Sequence, residues 1–444
     1  MKRQLSSFQI IIGGFMAVIL AGSILLMLPI ATQNGKGATF LEALFTSTSA
    51  VCVTGLVVQD TATYWSLFGQ MVILLLIQIG GMGVVTLAVL VSLISGKRIG
   101  LKQRSTMQEA IAAPSIGGIV KLTGFIVETT IAIEGIGVLL LFPVFYKDFG
   151  FWRGMWYAVF HAISAFCNAG FDLMGESGKY SSLTGYMDNL VVNIVIIALI
   201  IIGGIGFLTW EDVRNKGVYI KKYRMQSKVI LMMTSILIVF PFLFFYFFEL
   251  NGSQWEELSE GRRIIASLFQ AVTPRTAGFN TIDLGELSEA GQALTMLLML
   301  TGGAPGSTAG GMKITTIAVL VMIMVSVFRR KEDANCFGRR IAEDTVKFAA
   351  TILLMYFLLF TAGGMVISIS EGLPMLTCLF ETASAIGTVG LTLGITPGLG
   401  VVSKCVLISL MFFGRVGCLT LVFAASSGTK INMAKLPKEK ITVG

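Results

Sequence analysis

The chain has 444 residues, of which 55% are hydrophobic and only 13% are charged. A soluble globular domain carries about 25% charged residues, so the composition excludes that class and predicts an integral membrane protein. The formal net charge is +8, and the six cysteines lie in apolar segments without CxxC pairs, which excludes a disulfide framework and a zinc site.

Apolar runs of the length needed to cross a bilayer follow one another along the chain. No small-residue cleavage site follows the first run, at about 8–29, so we interpret it as a membrane span and not as a removed signal peptide. Later runs include Leu190–Ile202, Val229–Phe248 and Thr315–Phe328. The sequence therefore predicts an all-α polytopic membrane protein.

Four short segments of similar sequence divide the chain into repeats of about 110 residues. Each segment contains one glycine followed by Leu or Phe: Gly55, Gly170, Gly278 and Gly390. We predict repeat boundaries at 1–96, 97–214, 215–330 and 331–444, the last repeat including a C-terminal tail.

Each of these glycines follows a moderately apolar stretch that is too short to cross a bilayer, which needs about 20 residues. These stretches are predicted to be re-entrant half-helices: Phe40–Ala50, Met155–Phe166, Ile264–Val272 and Met375–Ala385. Each repeat then consists of a span, a half-helix, a glycine loop and a second span.

A second set of glycines lies inside the second span of each repeat: GGMG at 80–83, GGIG at 203–206, GGAPGSTAGG at 302–311 and GRVG at 414–417. The third copy resembles a phosphate-binding loop, but Met312 separates Gly311 from Lys313, and Ile314 stands where Ser or Thr is required. GGMG and GGIG follow no strand and lack the third glycine of GxGxxG, so dinucleotide binding is excluded as well.

Lys and Arg are concentrated in the loops that join the repeats and in both terminal segments. Because positive residues mark the cytoplasmic side, we expect both termini in the cytoplasm and the four glycine loops to open outward. The basic excess is thus an orientation signal, which we favour over nucleic-acid binding. Terminal residues that contribute to it are Lys2, Arg3, Lys430, Lys435, Lys438 and Lys440.

Non-helical backbone at membrane depth is tolerated only where protein buries it or where it lines a path for water. Four such loops in register can converge on one axis, where backbone carbonyls replace the hydration shell of a monovalent cation. Glycine permits the backbone angles needed, and the half-helix C-termini favour a positive charge. We therefore predict four pseudo-repeats of span, pore half-helix, filter loop and span around a central pore.

The candidate filter comprises three residues from each loop: Val53, Thr54, Gly55, Asn168, Ala169, Gly170, Thr276, Ala277, Gly278, Thr388, Val389 and Gly390. Extended backbone is expected at Thr54, Thr276 and Val389. The alternative, that these glycines only permit close helix packing, is the less favoured interpretation for four glycines in register.

Three segments, VTPRTAGFN at 272–280, SAFCNAGF at 164–171 and FFGRVG at 412–417, resemble the KtrB/TrkH superfamily of potassium transporters. The resemblance covers nearly the whole chain and is closer to KtrB, because a single span precedes the first half-helix. It implies potassium bound by backbone carbonyls, a homodimer with one pore per subunit in the cell membrane, and a cytosolic ring of nucleotide-binding regulatory subunits. Gly55, where sodium-favouring plant relatives carry Ser, supports potassium, whereas Cys52 departs from the Thr associated with KtrB.

In that family an intramembrane loop breaks the second helix of the third repeat and acts as a gate. The corresponding residues here are Gly302, Gly303, Ala304, Pro305, Gly306, Ser307, Thr308, Ala309, Gly310 and Gly311, with Lys313 and Arg415 as further gate candidates. Pro305 removes a backbone donor, and Gly, Ser and Thr help the freed groups find partners. A structural kink without a gating role is the alternative.

Charged residues at membrane depth are candidates for function. Arg415 is expected to point toward the pore or the gate loop, or to bind Glu381 or helix-end carbonyls. Lys313 is expected to snorkel toward the cytoplasm, and Arg275 to brace the filter. For His161, the only histidine, we favour hydrogen bonding over proton transfer.

The main rival is a sodium-coupled secondary carrier with broken helices at the midplane, a class that usually has two inverted repeats. Four repeats with the same orientation argue against it. The chain has no HExxH, GxSxG or catalytic carboxylate pair, so no enzyme is predicted. We expect no cofactor in this chain, potassium as the transported ion, and leave open sodium as an activating ion.

Overall fold

The computed structural model describes residues 6–94, 100–111, 117–255, 258–331 and 333–417, with 420, 424 and 439 as single residues. The terminal Lys and Arg residues named above lie outside the described residues. The described residues fold into helices and connecting loops, with one two-stranded antiparallel hairpin between the third and fourth repeats, in which β1 (Asn335–Cys336) pairs with β2 (Arg339–Arg340). The predicted all-α fold class is confirmed.

Four helices in the described residues are long and apolar enough to cross a membrane. They are α1 (Ser7–Leu26), α7 (Ile119–Phe166), α10 (Met225–Phe244, continued to Glu249 as a π-helix) and α14 (Glu343–Glu371). Only 22–33% of the residues in their most apolar stretches are buried, so these spans lie on the outside of the molecule.

The half-helices lie inside this ring of spans. Three are separate elements: α2 (Phe40–Cys52), α11 (Glu260–Val272) and α15 (Met375–Gly387). The second half-helix is the last part of α7, which reverses direction at Gly150, where φ is 74°. The third half-helix begins four residues earlier than predicted. Towards their C-terminal ends all four are continuously buried.

The second helix of each of the first three repeats is interrupted, whereas the sequence predicted an interruption only in the third repeat. The interrupted pairs are α4 (Leu67–Met82) with α5 (Val84–Ile94), α8 (Leu190–Gly204) with α9 (Phe207–Lys216), and α12 (Glu289–Leu300) with α13 (Ile314–Phe328). The pair α8 and α9 is bent by 97° and counts as a fifth span if it is taken as one. In the fourth repeat α16 (Val401–Val416) ends at Gly417.

Glycine explains two of these interruptions and the end of α16. Gly83, Gly206 and Gly417 have φ of 87°, 92° and 90°, a region in which a side chain is strained and glycine is not. The remaining short helices, α3 (Thr61–Tyr64) and α6 (Leu101–Ile111), lie in the loops after the first half-helix and before α7.

In three of the four second-helix motifs, the first glycine lets the second helix pack closely against the half-helix of the same repeat. A Cβ added at Gly80, Gly203 or Gly414 would lie 2.0–2.1 Å from a carbonyl oxygen, that of Val51, Phe166 or Ile386 respectively. Each carbonyl belongs to the residue four positions before the filter glycine of the same repeat. Close helix packing, the alternative considered for the filter glycines, thus accounts for this second set.

Substitution of Gly154 tests the chain reversal that positions the second half-helix. A Cβ there would lie 2.8 Å from the Phe145 carbonyl oxygen, whereas Gly135 on the same helix has no atom within 4 Å. We expect Gly154→Val to lower the thermal unfolding midpoint in detergent, because forcing side-chain atoms into a packed site costs about 1–3 kcal/mol. Gly135→Val is the control and should leave the midpoint unchanged. Equal midpoints for the two variants would contradict the tight reversal.

Candidate ion-conducting site

In each repeat a residue with left-handed backbone lies two positions before the filter glycine. These residues are Val53, Asn168, Thr276 and Thr388, with φ of 57°, 59°, 66° and 51°. The left-handed region costs an L-residue about 1–2 kcal/mol, so the surrounding structure holds all four in place. The expectation of extended backbone at Thr276 is wrong, because this residue makes the turn itself.

Backbone hydrogen bonds close each turn. Val389 N donates to Ser384 O at 2.8 Å, and the first two repeats have the same bond across five residues. In the third repeat Ala277 N donates to Thr273 O at 3.0 Å, across four residues. The third half-helix is therefore offset by one residue relative to its glycine.

Hydroxyl groups at the half-helix ends fix the loops, a feature that the sequence analysis missed. Ser49 Oγ and Ser384 Oγ accept from the amides of Gly55 and Gly390 at 3.1 and 3.0 Å. Ser164 Oγ donates to Phe171 O at 2.7 Å, and Thr273 Oγ1 donates to Phe279 O. The signal was present in the sequence, since a serine stands six residues before the glycine in three copies.

The four glycines form a closed ring. All have positive φ: 89° at Gly55, 67° at Gly170, 80° at Gly278 and 97° at Gly390. A Cβ added to any of them would lie 2.2–2.6 Å from the carbonyl oxygen that precedes the next glycine, in the order Ala169, Ala277, Val389 and Thr54. Since the fourth repeat contacts the first, the loops surround one axis, and glycine is required at each position.

The ring offers a cation only neutral ligands. All twelve candidate filter residues are buried, and none has an ionisable side chain. Their polar groups are backbone carbonyls and amides, the hydroxyls of Thr54, Thr276 and Thr388, and the amide of Asn168. Carbonyl oxygens at a constriction can replace the water shell of a monovalent cation without binding it irreversibly.

The candidate gate loop, residues 302–311, is held in place by the ends of helices in the neighbouring repeats. Ala304 N and Thr308 N donate to the free carbonyls of Gly204 and Gly203 at 2.9 and 3.3 Å, and Gly311 N donates to Gly414 O at 3.2 Å. The loop therefore bridges the second and fourth repeats.

The gate loop also contacts the filter. Thr308 Oγ1 donates to Asn168 Oδ1 at 3.2 Å. A Cβ added at Gly310 would lie 2.1 Å from Thr388 Oγ1. Since Asn168 and Thr388 make the turns of the second and fourth filter loops, the gate loop packs directly against these turns.

Arg415 joins the gate loop to the first repeat. Its Nη1 donates to Thr308 O, and its Nη2 donates to Gly80 O and, at 3.2 Å, to Gly81 O. Its partners are thus carbonyls at the loop and at the C-terminal end of α4, where the helix dipole is negative. The alternative partner, Glu381, bonds elsewhere: its carboxylate accepts from Leu393 N at 3.1 Å.

The other two cations also bind neutral oxygens. Lys313 Nζ donates to Ala309 O and Gly310 O at 2.8 and 3.4 Å, so the expectation that it snorkels toward the cytoplasm is wrong. Arg275 is buried, and its Nη2 donates to Thr234 Oγ1 on α10 at 3.4 Å. This contact ties the third filter loop to the outer span of its own repeat.

Glu134 is a buried carboxyl group at membrane depth that the sequence analysis missed. It accepts from Gln78 Nε2 at 3.3 Å and lies 3.9 Å from Cys167 Sγ. An acidic residue in the apolar run of α7 was the available signal. The cluster lies behind the second filter turn, since Cys167 precedes Asn168.

Comparison with known proteins identifies the fold and the family. The family model of TrkH, described as a cation transport protein, matches residues 3–432. The chain belongs to the TrkH family of cation transport proteins. It is therefore a multi-pass membrane transporter, not a member of an enzyme class.

Two relatives are similar over nearly their whole length. The potassium/sodium uptake protein NtpJ of Enterococcus hirae is 41% identical, with 100% of this chain and 98% of the relative covered. The Ktr system potassium uptake protein B of Bacillus subtilis is 40% identical, with 98% and 96% covered. The crystal structure of the potassium transporter TrkH from Vibrio parahaemolyticus superposes with a TM-score of 0.73 at 21% identity, covering 95% of this chain and 85% of that one.

Substitutions at Gly390 and Gly394 distinguish the effect of crowding in the ring from the effect of backbone strain. Both glycines have positive φ, 97° and 87°, but a Cβ at Gly390 would lie 2.2 Å from Thr54 O, whereas Gly394 has open space. We expect Gly390→Ala to lower the ratio of potassium to sodium flux in liposomes, because the methyl group displaces a ring carbonyl. Gly394→Ala carries the same strain, about 1–2 kcal/mol, and should keep the ratio. If Gly390→Ala inserts normally and keeps the parent ratio, the ring does not select ions.

Proposed function

We propose that this protein is the potassium-translocating membrane subunit of a bacterial-type potassium uptake system. Its filter is the ring of Gly55, Gly170, Gly278 and Gly390 with the two residues before each, and its gate is the loop 302–311 with Lys313 and Arg415. The observation that carries the proposal is the closed contact of the four glycine loops around one axis.

The chemistry of the ring supports a monovalent cation. A divalent ion is usually bound by carboxylates, and the twelve filter residues contain none. The names of both relatives support potassium: one is a potassium uptake protein, the other a potassium/sodium uptake protein. Gly55 supports a preference for potassium, because the sodium-favouring relatives considered above carry Ser at this position.

We place the protein in the cell membrane with both termini in the cytoplasm. The described loops between repeats support this orientation. Lys216, Lys221 and Lys222 follow the second repeat, and Arg329, Arg330 and Lys331 lie at the junction of the third and fourth repeats. The filter loops then open to the outside, and the gate loop lies on the cytoplasmic side of the filter.

We further propose a homodimer with one pore in each subunit and a cytosolic ring of nucleotide-binding regulatory subunits. The basic cytoplasmic loops supply a surface for such a ring, although anionic lipids would bind the same charges. The chain contains no nucleotide-binding motif, so a response to nucleotide requires the partner.

Growth of a potassium-uptake-deficient bacterium at low potassium tests the function. We expect the chain, expressed with a regulatory partner, to restore growth, because the ring supplies a path for potassium. Growth with and without sodium shows whether sodium activates the flux. An empty vector is the control. Failure to grow, with the chain present in the membrane, contradicts the proposal.

Substitution of Arg415 tests whether the gate loop controls potassium flux. The Arg415 guanidinium ties the gate loop to α4, so we expect Arg415→Ala to free the loop, raise potassium flux and reduce dependence on the partner. The potassium preference should be kept, since the filter residues are unchanged. Deleting Ala304–Ala309 should act in the same direction.

Lys404→Ala is the matched control for Arg415→Ala, because it removes one positive charge from the other end of α16. This variant should conduct like the parent. If the Arg415 variant inserts and conducts no faster than the Lys404 variant, the loop is a structural kink and not a gate.

A further inference from the structure

Each half-helix carries one buried polar side chain at an equivalent position. In the first, second and fourth repeats it stands nine residues before the filter glycine: Thr46, His161 and Glu381. In the third repeat, whose half-helix is offset by one residue, the equivalent is Gln270, eight residues before Gly278. All four side chains are at most 1% exposed.

His161 holds the outer limb of the second filter loop. Its Nδ1 lies 2.7 Å from Tyr157 O, and its Nε2 lies 3.3 Å from Leu173 N. A carbonyl can only accept and an amide can only donate, so Nδ1 carries the proton and Nε2 is the acceptor. Leu173 is the third residue after Gly170, and neutral His161 therefore fixes the chain just beyond the ring.

Glu381 makes the same connection in the fourth repeat. Its Oε1 accepts from Leu393 N at 3.1 Å, and Leu393 is the third residue after Gly390. The hydroxyls of Thr392 and Thr396 also donate to this carboxylate. Two different side chains at one equivalent position thus bind the same backbone amide of their loops.

The first and third repeats lack this connection. Thr46 Oγ1 and Gln270 Nε2 are buried without a hydrogen-bond partner among the described residues. The glycines contact one another in the order of the repeats, so the second and fourth loops face each other across the ring. One opposed pair of loops is tied to its half-helices by these side chains, and the other pair is not.

We propose that His161 and Glu381 are positioning residues that set the ion preference of the filter. They hold two opposed loops at a fixed separation, so the ring carbonyls do not move inward around a smaller cation. The inference rests on the proposed potassium function and adds two residues that touch no ion and act through the loops they hold.

The test compares acceptor-deleting and acceptor-keeping substitutions. His161→Phe keeps an aromatic side chain among Phe145, Phe160 and Phe279 but removes the nitrogen that accepts from Leu173 N. Glu381→Leu removes the oxygen that accepts from Leu393 N in the fourth repeat. His161→Gln and Glu381→Gln retain an oxygen that can accept from the loop amide. The controls are Thr46→Val and Gln270→Leu, which alter the equivalent positions in the two repeats where this side chain makes no bond to its loop in the described part of the chain.

The measurement is the ratio of potassium to sodium flux for purified protein in liposomes. We expect the ratio to fall by about two- to tenfold in His161→Phe and in Glu381→Leu, as the loss of one hydrogen bond implies. Both Gln variants should recover most of the ratio, and both controls should keep the parent value.

The inference is overturned if the Phe and Leu variants keep the parent ratio, or if the two controls lower it equally. If His161→Phe does not assemble, Glu381→Leu and Glu381→Gln decide the question. A parent protein that carries no potassium overturns the proposed function instead, so the two failures are distinguishable.

Discussion

The structure depends on one steric constraint, the contact of four backbone loops at a single ring. At each of the four filter glycines a Cβ would lie 2.2–2.6 Å from a carbonyl oxygen of the adjacent loop. The half-helices must therefore end at the same depth, and each must turn through a left-handed residue to bring its glycine inward. Deep burial of the half-helices and of the serine and threonine residues at their ends follows from this requirement.

The interruptions of the second helices serve the gate loop. A helix that ends inside the protein leaves carbonyls without intrahelical partners. The carbonyls of Gly203 and Gly204 accept from the loop, that of Gly414 accepts from Gly311, and that of Gly81 accepts from Arg415. The carbonyl of Gly80 also accepts from Arg415, in addition to the Gly83 amide at the end of its own helix. Each repeat thus contributes either helix-end carbonyls or the loop itself to one hydrogen-bonded network beneath the filter. Since all these partners are neutral, Arg415 is held without a fixed counter-charge from the described residues.

The repeat pattern, the half-helices and the helix break at residues 302–311 could be predicted from the sequence, because glycine spacing and apolar length report directly on backbone geometry. The breaks at Gly83 and Gly206 and the helix end at Gly417 could not, since glycines within an apolar run are compatible with a continuous helix. The sequence also does not predict the direction of the Lys313 side chain, the binding of Arg415 to carbonyls instead of Glu381, or the cluster around Glu134. Each depends on which side chains from distant repeats meet, and hydrophobic periodicity does not encode that.

The most direct test of the ring is a crystal structure of this protein in rubidium chloride, measured at the rubidium absorption edge. If the four glycine loops conduct potassium, anomalous density for rubidium will lie on the ring axis, beside the carbonyls of Thr54, Ala169, Ala277 and Val389. Exchange of rubidium for lithium should remove that density. A structure with the loops in the same arrangement and rubidium bound only elsewhere would contradict the account.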